Sequence, residues 1–474
     1  MSLYKSMPFA TIAGNEIAAV RGNCRANLIT DFYGTLLEVA AGFEARRRIE
    51  SPAGTVIPAF ALPGRGAATT EFFRSAEVSW QEFGSYRGHT LTLLNLSRNP
   101  STHTTKTFPS LLIVARAIEH IHRTGEPILI FTPTSANKGT ALRHAVWRAL
   151  KCGLAEPDQL RVAVLAPRVS ANKLRADDLA DDSATARLNP VFVLDSPVAE
   201  DVKALGRQFV TDHAEQVAST TGARLWFSLE LDNYALADTA RAMFEHAAAP
   251  VDLAHRHRTH VHAVSSAFGM LGYHRGRQLL EDAGLSAPER RPHTLLVQHL
   301  GTPDMVLDLH FGSFERSAMP EYRRDAVTGL YRQDSDVRFP AATGGPDEVL
   351  DTTFYTHKPA TAQEMSGLIR RYGGDGIVVS RHECMIQYGR WREAIQEAGF
   401  IAPEDTNVIR EWSLMMALTG ATLGIDRGLV KPDHDLVIHG SGWYTDADYR
   451  PLTDLVKVAT AQNIADRLCG PANR

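Results

Sequence analysis

Cysteine is scarce: 4 in 474 residues. Cys24, Cys152, Cys384 and Cys469 stand far apart and form no CxxC pair, which speaks against a disulfide framework and against a cysteine zinc site, and fits a reducing, cytoplasmic setting. Long apolar runs are missing as well. No stretch approaches eighteen uninterrupted apolar residues, and the opening MSLYKSMPFATIAGNEIAAVRGNC has no run of signal-peptide length, so no membrane partner is expected. The formal charge of −4 comes from acids and bases mixed along the whole chain, without the concentrated basic surface that nucleic acid requires. Internal repeats, low-complexity tracts and a GxxxxGK[ST] nucleotide loop are also absent.

What is present is an ordinary globular composition, 44% apolar, in a chain long enough for two domains with a cleft between them. Short apolar runs alternate with helical patterns, which predicts an α/β architecture with largely parallel sheets. Strands are expected at 127–131, 161–167, 190–195, 223–229, 260–266, 293–300, 376–380 and 435–440. Apolar spacing of three and four predicts helices at 108–123, 139–153, 235–247 and 360–373. The first hundred residues, rich in Gly and Pro clusters such as SPAGTVIPAFALPGRGAATT, read as an irregular arm or covering layer, and 314–350 as a long functional loop.

One junction carries chemistry. After the strand PILIF the chain runs TPTSANKGTALRHA, so Thr134, Ser135, Asn137, Lys138 and Gly139 offer hydroxyls, an amide, an ammonium and free backbone N–H groups where a helix begins. A helix start of this kind suits a carboxylate or phosphate, although an N-cap with a glycine in a tight turn explains the same letters. The segment NPSTHTTKTF sets Lys106 in a run of small hydroxyl residues at the head of an amphipathic helix, 31 positions before Asn137.

Together these two segments resemble the fold type II pyridoxal-phosphate (PLP) enzymes of the tryptophan synthase β-like superfamily, nearest to threonine synthase and cysteine synthase. There a segment like NPTxSxKxR carries the Schiff-base lysine and precedes a TSGNxGxALA loop that grips the substrate carboxylate. The resemblance continues in order. LELDNYALADTARAMFEH is similar to the family's NPxxxxGxxTxxxE segment, with Asp238 where glycine or glutamine is usual, and HVHAVSSAFGMLGYHRG is similar to its strand, phosphate loop and helix. LVIHGSGWYTD stands where the family has VxxxTGxGxKD.

The resemblance implies a two-domain, three-layer αβα fold, with residues 1–107 as an arm and part of the large PLP domain, 108–235 as the small domain and 236–474 as the large domain. It implies pyridoxal 5'-phosphate as cofactor, an amino-acid substrate, a homodimer, and elimination or replacement at the β- or γ-carbon. Its departures suggest a non-proteinogenic amino acid made in specialised metabolism. By position, Lys106 holds PLP; Thr134, Ser135, Asn137, Lys138 and Gly139 face substrate; Asn137, Ser265, Ser266, Ala267, Phe268 and Gly269 bind the cofactor. Lys138 is a rival for the anchoring role. Either His439 or Ser441 meets the pyridine nitrogen. A loop built on Ala267 and Phe268 lacks the glycines that let backbone curl round a phosphate.

Two other readings stand beside this one. A relative that has lost catalysis would serve as a binding protein. The run His255, His257, His260 and His262 could instead serve a metal-dependent hydrolase, although no cysteine or carboxylate cluster accompanies it and no metal is expected. The arginines of RRYGG and YRRD could hold a second acidic group on a substrate.

Overall fold

A computed structural model describes residues 23–47, 51–196, 198, 201–228, 230–249 and 257–470. Two sheets organise it. The larger has seven strands in the order Asn23–Asn27, Glu77–Tyr86, His89–Asn95, His434–Gly440, His257–Ala263, His293–His299 and Gly374–Val379. Its first three strands pair antiparallel and the rest run parallel. The smaller has five parallel strands, in the order Val456–Val458, Val191–Leu194, Leu160–Pro167, Ile128–Pro133 and Arg224–Phe227.

The central strands ILIFTP and LRVAVLAP are buried at every residue. Helices cover both faces of a parallel sheet, which is why these strands are near-continuous apolar runs and do not alternate. On one face of the smaller sheet, Phe131 and Phe192 pack with Phe209, Val217, Ile464 and Leu468. Its other face, together with one face of the larger sheet, shares a core with the helices Thr107–Thr124, Ala136–Lys151, Asp232–Ala248 and Phe268–Asp282. The opposite face of the larger sheet packs against Ser413–Asp426 and Arg381–Glu397. Gly125, at φ 70°, ends the first of these helices by donating its N–H to Ile121. That left-handed position favours glycine.

Three expectations are corrected here. Residues 23–95 are not an irregular layer, because they supply three strands of the larger sheet. Only 54–60 behave as a cover: Val56 N–H donates to Leu225, and buried Arg116 lies 3.7 Å from the Phe60 ring while bonding the Pro58 and Ala59 carbonyls. This segment masks the exposed edge at Arg224–Phe227, where unpaired backbone would otherwise meet water or another chain. Second, the chain does not finish in the larger unit, because Val456–Val458 joins the smaller sheet and Ala461–Cys469 packs in its core. Third, 314–350 is partly ordered by a small antiparallel sheet of Arg323–Arg324, Tyr331–Arg332 and Ala342–Thr343. No helix among the described residues is long and apolar enough to cross a membrane.

Candidate functional site

Asn99 shapes the turn that presents Lys106. Fully buried, it donates its amide to the carbonyls of Leu96 and Thr104, and its Oδ1 accepts from the Thr102 N–H and hydroxyl. The turn is then fastened to the end of the neighbouring strand. Thr105 N–H donates to Ser441 at 2.7 Å, Leu96 N–H to Gly440 at 3.0 Å, and Trp443 N–H to His103 at 3.1 Å. Lys106 therefore enters its helix in fixed register with the HGSG segment.

Lys106 and Ser441 line a cleft between the two sheets together with Ser135, Asn137, Ser265, Ser266, Ala267, Phe268 and Gly269. Segments far apart in sequence thus meet at one place. Burial pulls the Lys106 pKa down; Asp238 works against this and the charge of Arg241 adds to it. The amine lies 5.0 Å from the centre of the Tyr234 ring.

Two helix starts face the cleft. Ser135 precedes Ala136–Lys151 and makes no side-chain capping bond, which leaves the first backbone N–H groups of that helix for another acceptor. Ala267 precedes Phe268–Asp282 in the left-handed region, at φ 51° and ψ 13°. The curl expected to need glycine is therefore made by alanine, at a strain of about 1–2 kcal/mol.

Four expected site residues do not line the cleft. Thr134 spends its backbone N–H on Leu165. Gly139 is a packing residue, since a Cβ there would sit 2.7 Å from Val164 Cγ1. His439 lies behind the cleft wall, with Nε2 2.8 Å from His260 Nδ1. Ser441, two residues on, lines the cleft. Lys138 turns away and donates to the Ser228 carbonyl at 2.5 Å. Burial, helped by the charge of Lys106, brings its pKa down to about 7.

His260 and His262 of the histidine run are held by hydrogen bonds, and His257 stacks on His434. His260 Nε2 lies 3.3 Å from Glu245, which also accepts from Arg258 and Tyr273. His262 Nδ1 is 2.7 Å from the Ala263 carbonyl and its Nε2 is 3.1 Å from Arg241, so the proton sits on Nδ1 and Nε2 accepts. Burial and Arg241 bring the His262 pKa down to about 3. His255 lies outside the described residues, and among the described residues no cluster could hold a metal ion. The arginines proposed to hold a second acid are elsewhere: Arg370 donates to Leu309, Arg371 lies over Tyr372, and Arg323 pairs with Glu321.

Several lining residues gave no signal of their own. Glu411, in IREWSLMM, lines the cleft while 1% exposed, and Ser413, Thr353 and Phe354 join it from segments without a motif, as does Tyr234 from the LELDNYALADTARAMFEH segment. Arg241, at a position of LELDNYALADTARAMFEH to which the resemblance gives no role, is a further one; it bonds His262, the Thr105 hydroxyl at 2.6 Å, and Asp238 at 2.5 Å. Only its helical spacing from Asp238, three residues, hinted at a pair.

Among solved structures, the chain is similar to a threonine synthase from Brucella melitensis with PLP bound, at 9% identity over 86% of this chain and 83% of that one, TM-score 0.50. It is also similar to the threonine synthase of Escherichia coli, at 17% identity over 81% and 78%, TM-score 0.49. A fungal L-serine ammonia-lyase from Rhizomucor miehei matches at 10% identity over 76% and 90%, TM-score 0.44. The Brucella match shows the fold: this chain has the α/β architecture with mostly parallel sheets of the fold type II PLP enzymes. No curated protein matches the sequence. A family model described as a family of unknown function (DUF6002) matches residues 24–470, and the chain belongs to that family.

Proposed function

We propose that this member of the DUF6002 family is a pyridoxal-phosphate enzyme that carries out elimination or replacement at the β- or γ-carbon of an amino acid. The observation that carries the reading is the meeting of a buried lysine, Lys106, with two helix starts and a serine, Ser441, around one cleft between two sheets. The residues present fit the cofactor. They include an amine disfavoured as ammonium, uncapped N–H groups at a helix start, and a buried guanidinium whose Nε has no hydrogen-bond partner.

In this reading PLP supplies the electron sink for carbanion chemistry at the α-carbon. The chain does the rest. Lys106 anchors the cofactor and later moves the α-proton, a task its lowered pKa favours because the neutral amine is the base. Ser135 and the N-terminal turn behind it receive the substrate carboxylate, and Asn137 orients what lies above it. Ser441, on the cleft wall, would offer the pyridine nitrogen a neutral hydroxyl, a partner that would leave that nitrogen unprotonated. Burial between the sheets keeps water from the reacting carbon. Glu411 places a carboxylate on the cleft wall beside Asn137, which disfavours a second anionic group on the substrate, while the departures of the loop from the family's motifs support a product outside the standard amino acids.

The test is direct. Protein purified with PLP and treated with borohydride should carry the cofactor mass on the peptide containing Lys106, and Lys106→Ala should lose both this mass and the visible absorbance band. Label on Lys138, or no band in the wild-type protein, would overturn the assignment.

A further inference from the structure

The loop assigned to the cofactor phosphate has one glycine, Gly269, where the resemblance leads one to expect several. The structure shows what that glycine is for. A Cβ at 269 would lie 2.9 Å from Arg241 Nη1 and 3.0 Å from Nη2, so the guanidinium occupies the space beside the loop. Gly272 does the same one turn later, where a Cβ would stand 2.5 Å from Asp238 Cβ. With Gly276 packed on Thr239, the three glycines seat Phe268–Asp282 against Asp232–Ala248. This close packing pushes Asp238 and Arg241 to the mouth of the loop.

Arg241 is 1% exposed and held on three sides, by His262, Thr105 and Asp238. Its Nε has no hydrogen-bond partner, while Asp238 Oδ1 lies 2.5 Å from Nη2 as an ion pair. An unmatched buried donor costs free energy. Both groups line the cleft, next to Lys106 and the start of Phe268–Asp282. The site has a fixed cation, a hydroxyl and uncommitted N–H groups, and a planar guanidinium suits a phosphate better than a point charge does.

We propose that Arg241 is the anchor of the cofactor's 5'-phosphate, with Asp238 as the counter-ion that the phosphate displaces. The inference rests on the function proposed above and replaces a glycine cradle with a buried arginine. Asp238 compensates the buried guanidinium until phosphate enters. The phosphate then takes over its hydrogen bonds and satisfies Nε.

Pyridoxal, which lacks the phosphate, separates this role from a merely structural one. Dissociation constants for PLP and pyridoxal are measured by absorbance on the full chain, with folding checked by circular dichroism. Wild type should prefer PLP. Arg241→Met should weaken PLP binding by about 10- to 100-fold and leave pyridoxal within about 3-fold. Asp238→Asn, which keeps the volume and removes the competing charge, should tighten PLP binding alone, and it serves as the second arm where the arginine variant fails to fold. PLP preference unchanged in both variants, or pyridoxal weakened as much as PLP, overturns the assignment to Arg241 while leaving the enzyme reading intact. A wild-type protein that binds neither compound overturns both.

Discussion

Asn137 donates its side-chain amide to the Glu411 carboxylate at 2.7 Å while its Oδ1 accepts the Tyr444 hydroxyl at 2.8 Å. Both ends of the amide are therefore committed, and its second N–H is left for a ligand. Glu411 is itself held by Lys173 at 3.0 Å and by Ser413, and Lys173 also donates to Asp351 at 2.7 Å. Asn137 and Lys173 come from the smaller-sheet unit, Glu411 and Asp351 from segments packed on the larger. The cluster ties the two halves together at the cleft, where the orientation of one amide is fixed by groups from both.

Glu411→Ala is predicted to free the Asn137 amide to rotate. The substrate-induced change in cofactor absorbance should then need about 10-fold or more substrate, with Lys106 labelling by PLP and borohydride unchanged. Equal loss of labelling and substrate response would show that Glu411 only maintains the fold.

Lys173→Met is predicted to destabilise the protein by about 3–5 kcal/mol, because it leaves two buried carboxylates without their cation. Burial works against the charge of Lys173, but Asp351 and Glu411 outweigh it and raise its pKa, and Lys173 holds Asp351 below the usual carboxylate range. A depressed carboxylate adds stability above its ordinary pKa, and that share is lost as pH falls through the folded value. With Lys173 gone, Asp351 is pushed upward, and acid should restore part of the loss. Urea unfolding of wild type and variant at pH 7 and pH 5 should show the gap narrowing at the lower pH.

Much of the architecture is legible in the sequence, for a physical reason. Strands such as ILIFTP are buried on both faces and are nearly all apolar, and Lys106, Ser135 and Asn137 sit at helix starts whose small and polar residues stand out in the sequence and meet at the cleft. Glu411 is illegible because a lone acid before an apolar helix looks like surface. Its burial is decided by Lys173, 238 residues away. Ala267 misled for the converse reason: backbone strain at φ 51° is imposed by tertiary packing and leaves no mark in composition. Gly272 and Gly276 lie in the helix that follows the loop, where glycine is a poor helix former, and they are there for contact between helices.

Lys138 gives a pH dependence of definite sign. Its folded pKa is about 7 and its ordinary value is 10.5. Between these the unfolded chain binds a proton that the folded chain does not, so stability rises with pH across that window, and the burden on the fold is full below it. Lys138→Met removes the burden. Its melting temperature should exceed that of wild type by more at pH 6.5 than at pH 9, measured by differential scanning fluorimetry. An equal difference at the two pH values would mean that Lys138 stays charged beside the Ser228 carbonyl.

Gly272→Ala tests whether helix contact explains the glycines of Phe268–Asp282. Helix propensity alone favours alanine by about 1 kcal/mol, because glycine is the poorer residue inside a helix. The structure argues for the opposite outcome, since the new Cβ would lie 2.5 Å from Asp238 Cβ and 2.9 Å from the Ala235 carbonyl oxygen. These are backbone and near-backbone atoms that cannot swing aside, so the two helices must separate, at about 1–3 kcal/mol. Separation would carry Asp238 and Arg241 away from the loop. The variant should therefore melt lower than wild type and bind PLP more weakly while pyridoxal binding is spared. Gly367→Ala is the control, because nothing lies within 4 Å of the added methyl in the helix Ala362–Tyr372, and it should be neutral or slightly stabilising. Were both substitutions to stabilise alike, the close approach of the two helices, and with it the placement of Arg241, would have to be abandoned.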